Sequence, residues 1–360
     1  MQIKTELLQK MVAKAIQGSS FNKMIPLTSL IGIEVKGKDL TLTTTDGSNQ
    51  LKIKQQIDYD PVYGPQEFYT IVNAETFAKL IDKTTKENID LENKDNYLEV
   101  IGNGSYKLEI AINKEGEMVK FPIIVEQLPT TTYKINLNNL QETIKVAKAS
   151  VAKTMEVPCL TGYYLSNNII STDRQVMCSI ENELIEEPVL ISSEMAELLL
   201  LVEGDKEIDF AMDNGNIIFF NNNYIITGKE LEGKENYPVQ ALEGLLKTAY
   251  DNTIKVNKTE LLNILDRMSL FITAYDKNGI YLTFNTEGIS IQSQKSNAIE
   301  TIVLPEERPT FNCLVDIEMM KAQIETISTD EVEIQYGQEK SIKIVDGTIS
   351  HIISLLDKTE

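Results

Sequence analysis

The sequence contains a single histidine, His351, among 360 residues. A Ser-His-Asp triad, a Cys-His pair and a multi-histidine metal site all need imidazole groups, so the chain has almost no material for them. His351 lies in an apolar C-terminal run, which favours a structural role over a catalytic one. We therefore expect no catalytic residue, no metal site and no cofactor.

Cysteines and long apolar runs are also scarce. Cys159, Cys178 and Cys313 are odd in number and widely spaced, which argues against a disulfide framework and is typical of buried thiols in a reducing compartment. No run of about 18 apolar residues occurs, and the first ten residues lack the apolar stretch of a secretory signal. These patterns predict a cytoplasmic protein with no membrane span.

Positive charge is in deficit, because 34 lysines and arginines stand against 54 acidic residues, a net charge of −20. This balance disfavours tight, non-specific DNA binding, which depends on neutralising phosphates, but it allows a local basic surface. At helical spacing within residues 139–153, Leu140, Ile144, Ala147 and Val151 form an apolar stripe, and three lysines lie away from it. For a single helix, a merely solvated outer face is the simpler interpretation.

A strand followed by a helix occurs six times along the chain, and such repeats decide the fold. The six copies lie at residues 2–16, 69–81, 134–149, 189–201, 254–268 and 312–324. After each helix come short alternating segments with hairpin turns, among them Asp46-Gly47, Asn103-Gly104, Glu287-Gly288 and Asp346-Gly347. Because helices and sheets segregate, we predict an α+β fold of three similar domains, each made of two strand-helix-sheet halves. We place these domains at residues 1–126, 127–249 and 250–360.

Lysines lie away from the apolar stripe on three of the six predicted helices. These are the helices of the first three copies; the fourth helix has no basic residue, and the last two are mixed. A basic surface built this way is weak and incomplete, which suits transient contact with phosphates rather than tight binding.

Four segments carry a resemblance to a known family. They read IPLTSLIGIEVKGKDLTLTTTD at residues 25–46, KFP at 120–122, GYYLSNNIISTDRQVMC at 162–178 and LEGKENYPV at 231–239. Together with the threefold period, they make the whole chain resemble a divergent member of the bacterial DNA polymerase III β sliding clamp family.

The resemblance implies a head-to-tail homodimer whose six domains form a ring, with sheets outside and helices lining a hole around duplex DNA. It implies a non-catalytic processivity factor whose partners are duplex DNA, the DNA polymerase III catalytic subunit, a clamp loader and other proteins with clamp-binding motifs. The residues implied to face DNA are Lys10, Lys14, Lys79, Lys83, Lys145 and Lys148. Tyr106 and Leu108 are implied to contact Phe271 and Ile272 at the dimer interface, although all four are also suited to an internal core.

The resemblance also implies a pocket for a short partner peptide with a glutamine and apolar anchors. Its residues are Leu160, Thr172, Arg174, Gln175, Val176, Met177, Pro238, Leu242, Ile353, Ser354, Leu355 and Leu356. The family reads Thr-Asp-Gly-His-Arg-Leu where this chain reads Thr-Asp-Arg-Gln-Val-Met at 172–177, and the tail also departs from the family's Met-Pro-Met-Arg. Val176, Met177, Leu355 and Leu356 keep the pocket apolar, so we expect a hydrophobic peptide groove.

Two other classes of protein are the alternatives. An enzyme would need a site such as residues 228–235, which match seven positions of a phosphate-binding loop but end in Glu235, or the acidic pairs Asp58/Asp60 and Glu306/Glu307 in loops. A clamp-like adaptor that does not encircle DNA is the other alternative. The mass in solution distinguishes the adaptor from a dimeric ring.

Overall fold

The computed structural model describes residues 1–57, 66–125, 127–181, 185, 187–272 and 278–357. Within these ranges it contains 24 strands and seven helices. The helices are α1 (Thr5–Ala15), α2 (Ala74–Asp82), α3 (Leu137–Ala147), α4 (Ser193–Leu199), α5 (Val239–Leu246), α6 (Lys258–Ser269) and α7 (Ile317–Glu325). All except α5 belong to the six repeats.

Each repeat consists of one strand, one helix and three further strands. The first two repeats contain β1 (Gln2–Lys4), β2 (Leu30–Gly37), β3 (Asp39–Thr45), β4 (Asn49–Gln56), β5 (Gln66–Asn73), β6 (Asn88–Asn93), β7 (Tyr97–Ile101) and β8 (Ser105–Glu109). The next two contain β9 (Tyr133–Asn136), β10 (Gly162–Leu165), β11 (Asn168–Thr172), β12 (Val176–Glu181), β13 (Val189–Ser192), β14 (Glu207–Asp213), β15 (Asn216–Phe220) and β16 (Tyr224–Lys229). The last two contain β17 (Asn252–Asn257), β18 (Gly279–Asn285), β19 (Gly288–Ser293), β20 (Ile299–Val303), β21 (Phe311–Asp316), β22 (Glu331–Tyr336), β23 (Ser341–Asp346) and β24 (Ile349–Ser354).

The strand that begins a repeat joins the sheet of the neighbouring repeat. Thus β1 pairs with β6, and β5 pairs with β2, both antiparallel. The same exchange recurs in the later repeats, where β9 pairs with β14 and β17 with β22. Two repeats therefore fold together, because each supplies one edge strand to the sheet of the other.

The strands form two four-stranded and two eight-stranded sheets. The shorter sheets have the orders β1-β6-β7-β8 and β20-β19-β18-β21. The longer sheets have the orders β5-β2-β3-β4-β16-β15-β14-β9 and β13-β10-β11-β12-β24-β23-β22-β17. Each longer sheet is two four-stranded sets joined at their last strands, β4 to β16 and β12 to β24. The α+β fold class predicted from the sequence is confirmed.

The chain separates into two compact units by its internal contacts. Unit 1 comprises Met1–Asn138 and Glu194–Glu230, and unit 2 comprises Asn139–Ser193 and Leu231–Glu360. Each of the four sheets lies within one unit. The division into three domains, with ends at 126 and 249, stays a prediction.

The helices form where the sequence supplies an apolar face and a capping residue. In α1, the buried side chains are spaced as a helix requires and include Leu8, Met11 and Val12. Asn73 at the start of α2 accepts a hydrogen bond from the N–H of Thr76, which satisfies one of the free amides of the first turn. Asn257 and Asp316 cap α6 and α7 in the same way.

His351 and the three cysteines, for which the sequence predicts a structural role, are buried. The His351 Nε2 lies 2.9 Å from the Thr326 hydroxyl oxygen, and burial lowers the pKa of His351 to about 4. The three cysteines are free thiols and are buried, as expected. In the part of the chain that the structure describes, no helix is long and apolar enough to cross a membrane.

The structure shows the surroundings of residues 228–235 and of Glu306, which the sequence offers as candidate enzyme sites. Residues 228–235 leave β16 and enter a single 3₁₀ turn at Lys234–Asn236, whereas a phosphate-binding loop opens onto an α-helix. Glu306 forms an ion pair of 2.6 Å with Arg308. The pair Asp58/Asp60 lies outside the described residues.

Candidate functional site

A groove of about 430 Å³ lies in unit 2. One wall is the chain that follows α3, and a second is the turn between β11 and β12. The start of α7 and Asn278 form the third. The lining residues are Ala149, Val151, Ala152, Lys153, Thr154, Glu156, Val157, Leu160, Asp173, Arg174, Gln175, Val176, Asn278, Asp316, Glu318, Met319 and Ala322.

The turn between β11 and β12 is held by its own side chains. The Thr172 hydroxyl donates to the Val176 carbonyl oxygen at 2.7 Å, and the Asp173 carboxylate accepts from the N–H groups of Gln175 and Val176, each at 2.8 Å. Arg174 lies in the left-handed region at φ +83°, an unusual conformation for a residue other than glycine. The turn therefore fixes the direction in which the Arg174 side chain leaves the backbone.

The wall behind α3 is fixed by a buried glutamine. Gln323 is fully buried; its Oε1 accepts from the Ser150 hydroxyl at 3.0 Å, and its Nε2 donates to the Ala149 carbonyl at 3.2 Å. Because a buried amide left without partners is costly, these bonds hold residues 149–150 against α7. The groove is therefore bounded by packed elements of unit 2.

The charges of the groove are unevenly distributed. Asp316 caps α7 by accepting from the Met319 N–H at 3.0 Å; burial raises its pKa, and the carboxylates of Glu318 and Asp173 add to that effect. Arg174 on another wall donates to Glu156 at 2.9 Å. One side of the groove thus carries the Arg174 guanidinium, and the α7 side carries carboxylates.

A second feature is the pair of outer strands of the four-stranded sheets. Strand β8 ends one sheet and exposes 41% of Tyr106, while Leu108 is half-buried. Strand β20 ends the other sheet and exposes Ile299 (56%) and Val303 (70%). An edge strand with exposed β-branched apolar side chains is a template for pairing with another chain.

The basic helix faces form a third feature. Lys10, Lys83, Lys145 and Lys148 are exposed, and Lys79 is exposed but forms an ion pair with Glu75. Lys14 is only 23% exposed; its ammonium lies 2.6 Å from the Glu203 carboxylate and donates to the Tyr224 hydroxyl at 2.9 Å. Part of the positive charge of these helices is therefore neutralised within the protein.

Comparison with known proteins gives consistent matches. Residues 1–120 match the family model described as the DNA polymerase III beta subunit, N-terminal domain. The beta sliding clamp of Bacillus subtilis is 22% identical over 93% of this chain and 92% of its own length. The beta sliding clamp of Halalkalibacterium halodurans is 22% identical over 95% of this chain and 88% of its own length.

A solved structure extends the match to the whole fold. The DNA polymerase III beta chain of Streptococcus pneumoniae superposes with a TM-score of 0.87 at 17% identity, over 99% of both chains. This chain has the β sliding clamp fold. The resemblance that the sequence carries is thereby confirmed at the level of the fold, with low sequence identity.

The peptide-pocket residues assigned from the clamp resemblance lie in two kinds of place. Leu160, Arg174, Gln175 and Val176 line the groove. The other eight residues belong to unit 2 but do not line the groove; these are Thr172, Met177, Pro238, Leu242, Ile353, Ser354, Leu355 and Leu356.

The strands of unit 2 explain this separation. Neighbouring residues of a strand point to opposite faces, so Val176 and Ile353 belong to one buried cluster, and Met177 and Leu242 belong to another with Leu160. Leu355 packs on the first cluster. Two backbone N–H groups of the C-terminal tail donate to backbone carbonyls. Ser354 N–H donates to the Gln175 carbonyl and Leu356 N–H donates to the Leu314 carbonyl, each at 2.8 Å. Thr172 is bound within the turn, and Pro238 precedes α5.

Sequence reasoning missed the α7 wall of the groove and the exposed apolar residues of β20. Asp316 and Glu318 open the repeated segment 312–324, so an N-cap with an acidic first turn was the available signal. On the edge strand, the apolar Ile299 and Val303 were missed. Phe271 (48% exposed) and half-buried Ile272 follow the end of α6, and their role at an interface stays a prediction. The alternation of Ile299, Thr301 and Val303 was the signal there.

Proposed function

We propose that this protein is a DNA sliding clamp, a non-catalytic processivity factor that encircles duplex DNA as a ring-shaped homodimer. In this proposal it tethers the DNA polymerase III catalytic subunit and other partners through the groove of unit 2. A clamp loader would open the ring, and no cofactor would be needed. The observation that carries the proposal is the pair of outer strands β8 and β20.

Both outer strands are the last strands of their four-stranded sets. In the other four sets, the equivalent strands are paired, β4 with β16 and β12 with β24. The repeat thus has a fixed way of joining sheets. Among the described strands, β8 and β20 are the two equivalent strands that have no partner strand on their outer side. Pairing β8 of one copy with β20 of a second would complete a third eight-stranded sheet of the same kind.

Such a contact is heterologous, because two different surfaces meet. Heterologous contacts build closed rings when the rotation between copies closes, and open filaments when it does not. The β clamp fold supports closure after two copies, with three domains per chain at about residues 1–126, 127–249 and 250–360. The apolar edge residues Ile299 and Val303, with Tyr106, Leu108, Phe271 and Ile272, would be covered at this interface.

The charge distribution supports a DNA contact that is weak and mobile. The net charge of −20 disfavours tight binding, and Lys14 and Lys79 are engaged by carboxylates. A ring held on DNA by its topology needs no tight grip. Lys10, Lys14, Lys79, Lys83, Lys145 and Lys148 remain the candidates for transient phosphate contact.

The first experiment is the solution mass of the purified protein, taken with negative-stain imaging. A closed ring at about twice the chain mass of 40.5 kDa is expected. After loading with a bacterial clamp loader and ATP, the protein should stay on nicked circular DNA and leave the same DNA once it is linearised. A single-chain mass would contradict the dimer and favour a clamp-like adaptor. Equal loss from both DNA forms would contradict encirclement.

A further inference from the structure

The turn that forms one wall of the groove has a counterpart in unit 1 with the same bonds. There, the Gly47 N–H donates to the Thr45 hydroxyl at 3.1 Å, and the Asp46 carboxylate accepts from the N–H groups of Ser48 and Asn49, each at 2.7 Å. In the groove turn, the Arg174 N–H donates to the Thr172 hydroxyl at 3.1 Å, and Asp173 plays the part of Asp46. Arg174 therefore occupies the position of Gly47.

Both positions have a positive φ, +104° at Gly47 and +83° at Arg174. Glycine adopts this conformation freely, whereas a residue with a Cβ atom is strained there by roughly 1 kcal/mol or more. An arginine is thus held where the turn itself is suited to glycine. The contacts of the Arg174 side chain in the groove therefore indicate its role.

The Arg174 side chain reaches the opposite rim of the groove. Its single described contact there is one hydrogen bond to Glu156, at 2.9 Å, and both side chains are mostly exposed, 60% for Arg174 and 71% for Glu156. A guanidinium has five N–H donors in a planar fork that fits a carboxylate with two parallel bonds. An exposed pair of this kind contributes little stability, so a ligand carboxylate can replace Glu156.

Other charges of the groove direct where a ligand carboxylate can bind. Lys153 lies on the same wall as Glu156 and adds positive charge, whereas Asp316 and Glu318 lie at the start of α7. Asp173 is also negative, but two backbone N–H groups already bind its carboxylate. An acidic side chain is therefore disfavoured near α7 and favoured at the Arg174 rim.

We propose that Arg174 is a specificity-determining residue that selects partner peptides with an acidic side chain, whose carboxylate displaces Glu156 from the guanidinium. The proposal rests on the proposed function, because it requires that the groove binds partner peptides. It goes beyond that function by stating the chemistry of one peptide position.

The test uses full-length protein and a scanning set of fluorescein-labelled decapeptides. Each peptide keeps one glutamine and two leucines, and aspartate or asparagine is placed at each remaining position in turn. At one position or two adjacent ones, the aspartate peptide should bind roughly fivefold more tightly than its asparagine twin in low salt. This ratio should fall as salt is added, since the pair is exposed.

Matched variants separate recognition from folding. Arg174→Gly suits the backbone and should bring the aspartate-to-asparagine ratio to about one. Arg174→Lys keeps the charge without the fork and should give an intermediate ratio. Glu156→Gln removes the competing carboxylate and should tighten binding of the aspartate peptide by a few fold.

The outcomes distinguish this inference from the function on which it rests. Peptide binding without any aspartate preference, or a preference that persists in Arg174→Gly, would overturn the role of Arg174 and leave the groove as a peptide site. If no peptide of the set bound the wild-type protein, the peptide-groove part of the proposed function would fail, and this inference would fail with it.

Discussion

Lys14 and Glu203 form an ion pair of 2.6 Å in unit 1, and the Lys14 ammonium also donates to the Tyr224 hydroxyl. Burial acts to lower the pKa of Lys14, but the hydrogen bonds to Glu203 and Tyr224 outweigh it and raise the pKa above its ordinary value. Lys14 therefore remains a cation at neutral pH, while Glu203 offsets its charge locally. Glu203 is 73% exposed, so it can be changed with little effect on packing.

Removing that carboxylate should strengthen DNA contact. In Glu203→Gln the charge of Lys14 is no longer offset, and we expect the protein to stay on circular DNA roughly twofold to fivefold longer at low salt. Glu187→Gln, the same change at an exposed residue of unit 2, is the control. A retention time equal to that of the control would mean that Lys14 does not contact phosphate.

Lys145 and Lys148 test the basic helix face directly. The double variant Lys145→Glu and Lys148→Glu reverses two exposed charges at the end of α3. Retention on circular DNA should fall roughly threefold or more at moderate salt, because phosphate contacts are lost and repulsion is added. The solution mass should stay unchanged. Unaltered retention would contradict the assignment of this face to DNA.

Two residues of the edge strand β20 test whether this strand lies at the dimer interface. The double variant Ile299→Lys and Val303→Lys replaces two exposed apolar side chains of the edge strand with charged ones. Charged side chains on an edge strand prevent its pairing with another chain. The mass in solution should fall from about twice the chain mass to the single-chain value, with an unchanged circular dichroism spectrum. Met24→Lys, at an 88% exposed methionine of unit 1, should leave the mass unchanged. A double variant that stays dimeric would exclude β20 from the interface.

The fold was predictable from the sequence in its local parts. The apolar stripe of Leu8, Met11 and Val12 on α1 follows from their spacing, which is a local property of the sequence. The exchange of β1 into the sheet of β6 was not predictable, because the pairing joins strands far apart in sequence that have no complementary signal. The partner of Lys14 was hidden for the same reason, since Glu203 lies in another repeat.

The groove was predictable where it follows the turn and not where it depends on packing. Arg174 and Gln175 project from a turn whose bonds are local. Met177 could not be separated from Val176 by composition, because both are apolar, and only the register of β12 sends them to different clusters. The α7 wall depends on the buried contact of Gln323 with Ser150, which is a long-range hydrogen bond.

His351 should make stability depend on pH. Burial lowers its pKa to about 4, with Asp346 opposing the shift, so the unfolded chain binds the proton more readily between pH 6.5 and 4. Stability therefore falls as pH is lowered through this window. His351→Gln keeps a polar partner for Thr326 and should reduce the loss between pH 7 and 4 by up to roughly 3 kcal/mol, measured by urea unfolding. An identical pH dependence in the variant would show that His351 is not the titrating group.

Two glycines should respond oppositely to the same substitution. A Cβ atom at Gly162 would lie 2.4 Å from the backbone oxygen of Ile191 and 2.8 Å from a Leu231 methyl carbon, although its φ of −122° suits any residue. Because β10 pairs with β13 at this point, the backbone oxygen cannot move without disturbing the sheet. Gly162→Ala should therefore cost roughly 1–3 kcal/mol through overpacking alone.

Gly244 is the matched control, because it lies within α5 and a Cβ atom there has nothing within 4 Å. Alanine has the higher helix propensity and fewer unfolded conformations, so Gly244→Ala should stabilise the protein by roughly 0.5–1 kcal/mol. Both values follow from urea unfolding of the full-length protein, and both glycines lie in unit 2. If Gly162→Ala were as stable as the wild type, the register of β10 against β13 would have to be different, since only that register brings the Ile191 oxygen so close.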